Sequence, residues 1–329
     1  MNKKLLIFCF FNLSFFTFHA NGELKKSYKQ SNFDSQNVSK ERYTPRTKIS
    51  GNLIFTLGAL ESPHSSESLH ATYENKVKLN TSFDGTDNLL TIIESGNASN
   101  SPLNLDLQSK KGETLKISTL LYQFKIKDNT KVIVGPMMFG YHGLAGKSTA
   151  YNERIAILDG SNYTTATGLG PGLGISTKKK NGFNTSIKLA SNQTIIDDES
   201  MHLISQIGIT KRNFGGTITN NLNKKFNAYG LAAFYKPKKL PSISISIEQK
   251  DDNSIKNTYN WIFALQKNFQ NKTFGLAIGT HNENEKIAYE GWSEIEISDN
   301  FKFIPILFKR ENNERRADLG FSLNTKFSY

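Results

Sequence analysis

The sequence contains almost no cysteine and no long hydrophobic run outside its first residues. Its only cysteine, Cys9, lies in an apolar stretch from Leu5 to Phe18. That stretch of about 14 residues is shorter than the roughly 20 that a membrane-spanning helix requires. The rest of the chain therefore has no thiol for a disulfide, a metal or a nucleophile, and we expect no transmembrane helix in it.

The first residues have the pattern of an export signal. Lys3 and Lys4 precede the apolar stretch, and Ala20-Asn21-Gly22 offers the small residues that a signal peptidase reads. We therefore predict that residues 1–22 are a signal peptide. The formal net charge of +12 then falls to +10, because the segment holds two lysines and no acid. Export excludes nucleic acid as a partner. Anionic lipid, a positively biased lumen and a solvated surface without a selective role remain open.

No motif indicates an enzyme, a metal site or a cofactor. The Gly168 to Gly174 stretch has glycine at alternate positions but continues as extended chain, whereas a dinucleotide loop opens a helix. No histidine pair has the helical spacing of a zinc site, and no Ser, His and Asp set can be assembled from spacing alone. The histidines considered are His64, His70, His142, His202 and His281. We expect no catalytic residue, no metal and no cofactor.

Apolar and polar residues alternate with a period of two through most of the chain. After a polar leader at 23–48, Leu53, Phe55 and Leu57 alternate with polar or small neighbours. Such alternation is typical of strands with one apolar and one wet face. No stretch has a helical stripe over three turns, so the fold class we predict is all-β.

Short turns and longer loops also alternate along the chain. The turns are 84–87, 127–129, 180–182, 236–239 and 298–300, and the longer connections are 59–70, 96–114, 139–164, 192–200, 249–256 and 281–286, with an exception at 222–225. This pattern predicts a closed antiparallel transmembrane β-barrel of about 16 strands over residues 49–329. A β-propeller or a soluble sandwich is the rival architecture. The serines, asparagines and lysines of the wet face favour a water-filled barrel.

The final strand carries an aromatic end. Leu323, Phe327 and Tyr329 lie on its apolar face. This resembles the C-terminal signal that the barrel-assembly machinery recognises in outer-membrane proteins, although the usual terminal residue is Phe.

Three further stretches resemble the porins of cyanobacterial outer membranes, which are related to carbohydrate-selective porins. They are Leu79 to Leu90 followed by Ser95-Gly96-Asn97, Gly168 to Gly174, and Ser298 to Pro305. The resemblance implies passive transport of small hydrophilic solutes, sugars or inorganic ions. Family members also carry an N-terminal domain that grips the cell wall. This chain has only the polar leader there, so contact with the cell wall is left open.

The 139–164 connection is a candidate constriction loop. Porin loops commonly fold into the lumen, and connections longer than about 12–15 residues are usually functional or disordered. Its candidate constriction residues are Tyr141, His142, Lys147, Tyr151, Arg154 and Asp159. The alternative is a surface loop without a selective role.

Parity along the strands predicts which charges face the lumen. A charge on the lipid face at mid-membrane costs about 2–4 kcal/mol, so charged residues should lie on the inner face. The predicted lumen-facing charges are Lys125, Lys127, Glu294, Glu296, Lys302 and Lys326. The aromatic residues Trp261, Trp292, Tyr229 and Tyr235 are candidates for the interfacial girdles or for ordinary packing.

Together these patterns predict an outer-membrane porin that passes small polar solutes. Its partners would be outer-membrane lipid and the barrel-assembly machinery, and a homotrimer is left open. One alternative is a structural or adhesive barrel with a plugged lumen. A more remote one is a secreted β-sheet binding protein such as a lectin.

Overall fold

The computed structural model describes residues 44–61, 69–109, 111–152, 155–158, 163–165, 167–192, 200–252, 257–281, 286–311 and 317–329. These residues form sixteen strands and one three-residue 3-10 helix, Ala98–Asn100. The strands are β1 Arg46–Glu61, β2 Leu69–Ser82, β3 Asn88–Gly96, β4 Gly112–Lys127, β5 Thr130–Met138, β6 Gly170–Lys178, β7 Phe183–Ser191, β8 Met201–Thr210, β9 Phe214–Leu222, β10 Phe226–Tyr235, β11 Ser242–Asp252, β12 Thr258–Phe269, β13 Lys272–His281, β14 Lys286–Ser298, β15 Phe301–Glu311 and β16 Ala317–Ser328.

The strands form one closed antiparallel barrel. Each pairs with its neighbours in the sequence, and β1 closes the barrel by pairing with β16. Two further backbone bonds join Gly51 and Tyr329, at 2.9 and 3.1 Å. Closure leaves no edge strand among the described residues, because each strand pairs with a neighbour on both sides. The predicted fold class and strand number are confirmed.

The polarity of the barrel wall is reversed relative to a soluble protein. On β11, Ile245 and Ile247 are 52% and 49% exposed, whereas Ser244 and Ser246 are buried. On β16, Leu319 and Phe321 are exposed, whereas every described even position from Asp318 to Asn324 is buried. An apolar outer face is what a barrel in lipid requires, and on these two strands the inner face is polar.

The strand boundaries agree with the alternation of short and long connections. The barrel begins at Arg46, however, and not at residue 49, because Arg46, Thr47 and Lys48 pair with Ser82, Thr81 and Asn80 on β2. Residues 1–43, which hold the predicted signal peptide and most of the predicted leader, lie outside the described part. Among the described residues, no helix is long and apolar enough to cross a membrane.

Candidate functional site

Two chain segments lie inside the barrel. The first inward segment is residues 97–109, between β3 and β4. The second consists of the described residues between β5 and β6, which are 139–152, 155–158, 163–165 and 167–169. Both contain side chains that are almost fully buried, such as Leu103, Leu105, Tyr151 and Leu158. Both also bond to residues on the inner face of the strands, so the interior of the barrel is the candidate functional site.

The second inward segment follows the inner wall from β7 to β14. Several of its backbone N–H groups donate to polar side chains on β7, β8, β11 and β12, and these bonds hold it against the wall. The bonds are Ala145 N to Ser186 Oγ at 2.7 Å, Gly146 N to Gln206 Oε1 at 2.8 Å, Ala150 N to Ser244 Oγ at 2.9 Å, and Asn152 N to Gln266 Oε1 at 2.8 Å.

Glu290 on β14 is one acidic anchor of this segment. Its carboxylate accepts the Tyr151 hydroxyl at 2.6 Å and the backbone N–H groups of Ile157 and Leu158, both at 2.8 Å. The residue is only 4% exposed. Bonds to a charged acceptor are stronger than neutral ones, so three of them fix the segment tightly at this point.

Glu248 on β11 is a second acidic anchor. It accepts the N–H groups of Tyr163 at 2.8 Å and Thr164 at 3.2 Å, and the Thr164 hydroxyl. Asn260 on the neighbouring strand donates to the same carboxylate at 3.4 Å. The segment is therefore held by one carboxylate near its middle and another near its end.

The inward segments and one side of the wall enclose an apolar cluster. Within it, the Trp292 indole donates to the Tyr151 hydroxyl at 2.7 Å, so Tyr151 joins Trp292 to Glu290. A Cβ at Gly275 would collide with the Trp292 ring, so the glycine makes room for the indole. The cluster comprises Ile54, Leu60, Leu103, Leu105, Leu107, Tyr151, Ile155, Ala156, Ile157, Leu158, Ile262, Ala264, Ala277, Ala288, Trp292, Ile304, Ile306 and Phe308.

The first inward segment is fixed from two sides. Arg310 on β15 donates to the carbonyl oxygens of Pro102 at 2.7 Å and Leu103 at 3.3 Å. The N–H of Asp106 donates to the Ala156 carbonyl oxygen at 2.7 Å, which joins the two inward segments. The strand residues of the apolar cluster come from β1 and from β12 to β15, so the cluster lies against this side of the wall.

The predicted constriction residues do not share one environment. Tyr141 is half-buried, stacks on Phe139 with 5.5 Å between ring centroids, and lines a cavity of about 110 Å³ with Glu248. His142 Nδ1 accepts the Phe139 N–H at 2.9 Å. Lys147 is exposed, and its backbone N–H donates to Thr210 at 3.3 Å.

Tyr151 differs most from the prediction. It is 4% exposed and lies inside the apolar cluster, not at the edge of an opening, because its ring packs on Trp292 and its hydroxyl is bonded to Glu290. Arg154 and Asp159 lie outside the described residues.

Four of the predicted lumen charges lie together. Lys302 forms ion pairs with Glu294 at 2.7 Å and Glu296 at 2.8 Å, and it is the Cα partner of Lys326. Lys326 lies on the same face of β16 as Ser322 and Asn324, which are buried.

The other two predicted charges lie on β4, away from that group. Lys125 is the partner of Lys131 on β5, on the face that carries buried Leu121 and Ile133. Lys127 faces Thr130 after a shift in register.

The C-terminal residues lie at the barrel seam. Phe327 and Tyr329 are exposed on the outer face, and Leu323 is partly exposed. The Phe327 ring stacks on Phe301 at 4.8 Å and meets Phe55 edge-on at 6.3 Å. Tyr229 and Tyr235 are exposed as well, but Trp292 is buried on the inner face and is not part of a girdle.

The β2–β3 turn is held by a carboxylate. Asp87 Oδ1 accepts the Ser82 hydroxyl and the Phe83 N–H, both at 2.8 Å, and Oδ2 accepts the Tyr122 hydroxyl at 2.7 Å. Burial opposes ionisation of this carboxyl, but the bonds from Tyr122, Asp84, Ser82 and Phe83 outweigh it and hold the pKa of Asp87 well below its ordinary value.

Within the described part of the chain, no group of three His, Cys, Asp or Glu residues could hold a metal ion. No family model matches the sequence, and no curated protein matches it.

Solved structures of bacterial porins do share the fold. A mutant of Rh. blastica porin aligns with a TM-score of 0.63 over 86% of this chain and 100% of that chain, at 9% identity. OprB of Pseudomonas putida, in its high-pH structure, aligns with a TM-score of 0.63 over 86% of this chain and 94% of that one, also at 9% identity. The fold of this chain is that of a sixteen-stranded porin barrel.

Proposed function

We propose that this protein is a passive channel of the outer membrane, through which small hydrophilic solutes diffuse. The observation that carries the proposal is the reversed polarity of a closed sixteen-stranded barrel whose lumen is narrowed by two inward segments. Neither feature would serve a soluble sandwich, which buries its apolar faces. The likeness in fold to bacterial porins supports the same function.

The proposal extends to how the protein reaches the membrane. Residues 1–22 would direct export, and Leu323, Phe327 and Tyr329 would present the C-terminal signal to the barrel-assembly machinery. The solutes would be sugars or inorganic ions, as the resemblance to cyanobacterial porins implies. A homotrimer in outer-membrane lipid is the assembly we propose.

Single-channel recording in planar bilayers tests the function. The purified full-length protein should insert and give discrete conductance steps. Migration on SDS gels should shift only after heating, because the closed ladder of strands resists the detergent. A product that is fully soluble without detergent would contradict the barrel in lipid.

The apolar cluster favours a second candidate, a structural or adhesive barrel with a plugged lumen. Recording from a variant in which a short Gly-Ser linker replaces residues 143–160 separates the two. If the intact protein is a channel, it conducts and the variant conducts more. If it is plugged, inserted intact protein gives no steps and only the variant conducts.

A further inference from the structure

The inner face of the barrel carries an excess of lysine near the end with the short turns. Lys76 and Lys78 on β2 share the face of buried Glu74, and Lys326 lies across β1 from that residue. Lys302 is the partner of Lys326, and Lys125 is the partner of Lys131. These six lysines therefore come from five strands and face the same space.

The acidic residues of this region neutralise only two of the lysines. Glu74 and Glu94 both bind Lys76, at 3.2 and 3.0 Å. Glu294 and Glu296 both bind Lys302, at 2.7 and 2.8 Å.

The remaining four lysines are Lys78, Lys125, Lys131 and Lys326. Among the described residues, no carboxylate lies within ion-pair distance of any of them. Lys78, Lys125 and Lys131 lie on the inner face of their strands, and all three are exposed. Their ammonium groups are therefore in contact with water on the inner side of the wall.

The position of the apolar cluster increases the effect of these lysines. The wall residues of the cluster come from β1 and from β12 to β15, whereas Lys78, Lys125 and Lys131 lie on β2, β4 and β5. Solutes must then pass on the side where these lysines lie. Low-dielectric walls focus the field of like charges into the water between them, which raises the local concentration of counter-ions.

We propose that the channel prefers small hydrophilic anions to cations, with Lys78, Lys125 and Lys131 as the residues that set the preference. This inference rests on the proposed function, since only an open lumen can be selective. It does not depend on hydrogen bonds to one specific solute. The class of solute is therefore small anions such as chloride, phosphate or carboxylates.

Reversal potentials of the full-length protein in a KCl gradient test the preference. Chloride should permeate more readily than potassium at about 0.1 M salt. Substitution of glutamine for each of Lys78, Lys125 and Lys131 should lower the permeability ratio about twofold, as expected for one unit charge at roughly 8 Å in water that is screened by 0.1 M salt. Lys309→Gln is the matched control. It removes the same charge from the outer face of β15, where Lys309 is exposed.

Salt dependence provides a second measurement that needs no variant. Screening shortens the reach of the lysines from about 10 Å at 0.1 M to about 3 Å at 1 M salt, so the preference should weaken over this range.

The outcomes are separable. Conductance steps with no preference, or with a preference for potassium, would overturn the anion inference and leave the channel intact. A complete absence of steps from inserted protein would overturn both.

Discussion

The Tyr151 hydroxyl donates a hydrogen bond of 2.6 Å to Glu290, a residue 139 positions further along the chain. The same hydroxyl accepts the Trp292 indole N–H at 2.7 Å. One tyrosine therefore links the second inward segment to two positions on the inner face of β14. Because the buried carboxylate of Glu290 accepts three hydrogen bonds from this segment, the position of the segment and the burial of the carboxylate depend on each other.

Removing Glu290 should release the second inward segment. In Glu290→Ala, the N–H groups of Ile157 and Leu158 and the Tyr151 hydroxyl lose their acceptor, at about 1–3 kcal/mol for each buried donor. Glu290→Gln keeps one acceptor oxygen and should have a smaller effect. Limited proteolysis of the detergent-solubilised barrel should cleave within 139–169 fastest in Glu290→Ala. Glu290→Gln should be cleaved more slowly, and the unchanged protein slowest.

Glu61→Ala is the control for that experiment, because Glu61 is exposed at the end of β1. It should cleave like the unchanged protein. Equal cleavage of all four proteins would mean that Glu290 does not hold the segment.

Leu103 should be a stabilising residue although it lies in a connection between strands. It is 0% exposed, and a Leu to Ala change at such a site costs about 2–5 kcal/mol through lost transfer energy and a cavity. The temperature at which the SDS-gel mobility of Leu103→Ala shifts should fall accordingly.

Leu240→Ala provides the comparison, since Leu240 is 68% exposed in the β10–β11 turn. Its effect should stay within about 0.5 kcal/mol. A Leu103→Ala barrel as stable as this control would show that the first inward segment adds nothing to stability.

The strands and short turns follow from the sequence because parity and turn residues are local properties. Residues 242–247 alternate Ser and Ile, and this alone assigns each to the inner or outer face, as the structure bears out. The burial of the first inward segment is not local. The sequence does contain an indication of this burial, because Leu103, Leu105 and Leu107 alternate within a connection that is otherwise mostly polar.

The anchors Glu248 and Glu290 could not be assigned from sequence as partners of a segment. Each is one carboxylate on a strand face, and its partners are backbone N–H groups 84 to 133 residues away. Backbone donors carry no sequence signal. The same applies to Trp292, whose parity is compatible with the inner face but whose residue type suggested a girdle.

Acid should weaken the β2–β3 turn through Asp87. The folded state holds the pKa of Asp87 below its ordinary value of 3.8, so the ionised carboxylate stabilises the fold above that pH, and the stabilisation is lost as the pH falls below it. Thermal unfolding of the barrel between pH 7 and about pH 2 should show this loss, with the change concentrated below pH 4. In Asp87→Asn, stability at pH 7 should be lower and the drop towards about pH 2 should be smaller.

Tyr122→Phe tests the origin of that effect, because it removes only the hydroxyl that donates to Asp87 at 2.7 Å. It should lower stability at pH 7, because the ionised carboxylate loses a charge-assisted hydrogen bond. An Asp87→Asn variant with the same pH dependence as the unchanged protein would locate the acid sensitivity elsewhere.

Closure of the barrel should depend on the missing side chain at residue 51. A Cβ at Gly51 would lie 2.5 Å from the Lys76 carbonyl oxygen and 2.5 Å from the Tyr329 ring. Gly51→Ala should therefore strain the β1–β16 seam by about 1–3 kcal/mol and lower the temperature of the gel shift.

Gly291→Ala is the matched control, because its nearest contact would be the Leu276 Cδ2 methyl at 3.0 Å, which can rotate away. Tyr329→Ala in the Gly51→Ala background separates the two clashes. It removes the ring but leaves the rigid Lys76 carbonyl, so stability should recover only in part. Full recovery would assign the whole strain to the terminal ring, and no loss in Gly51→Ala itself would show that the seam can widen without cost.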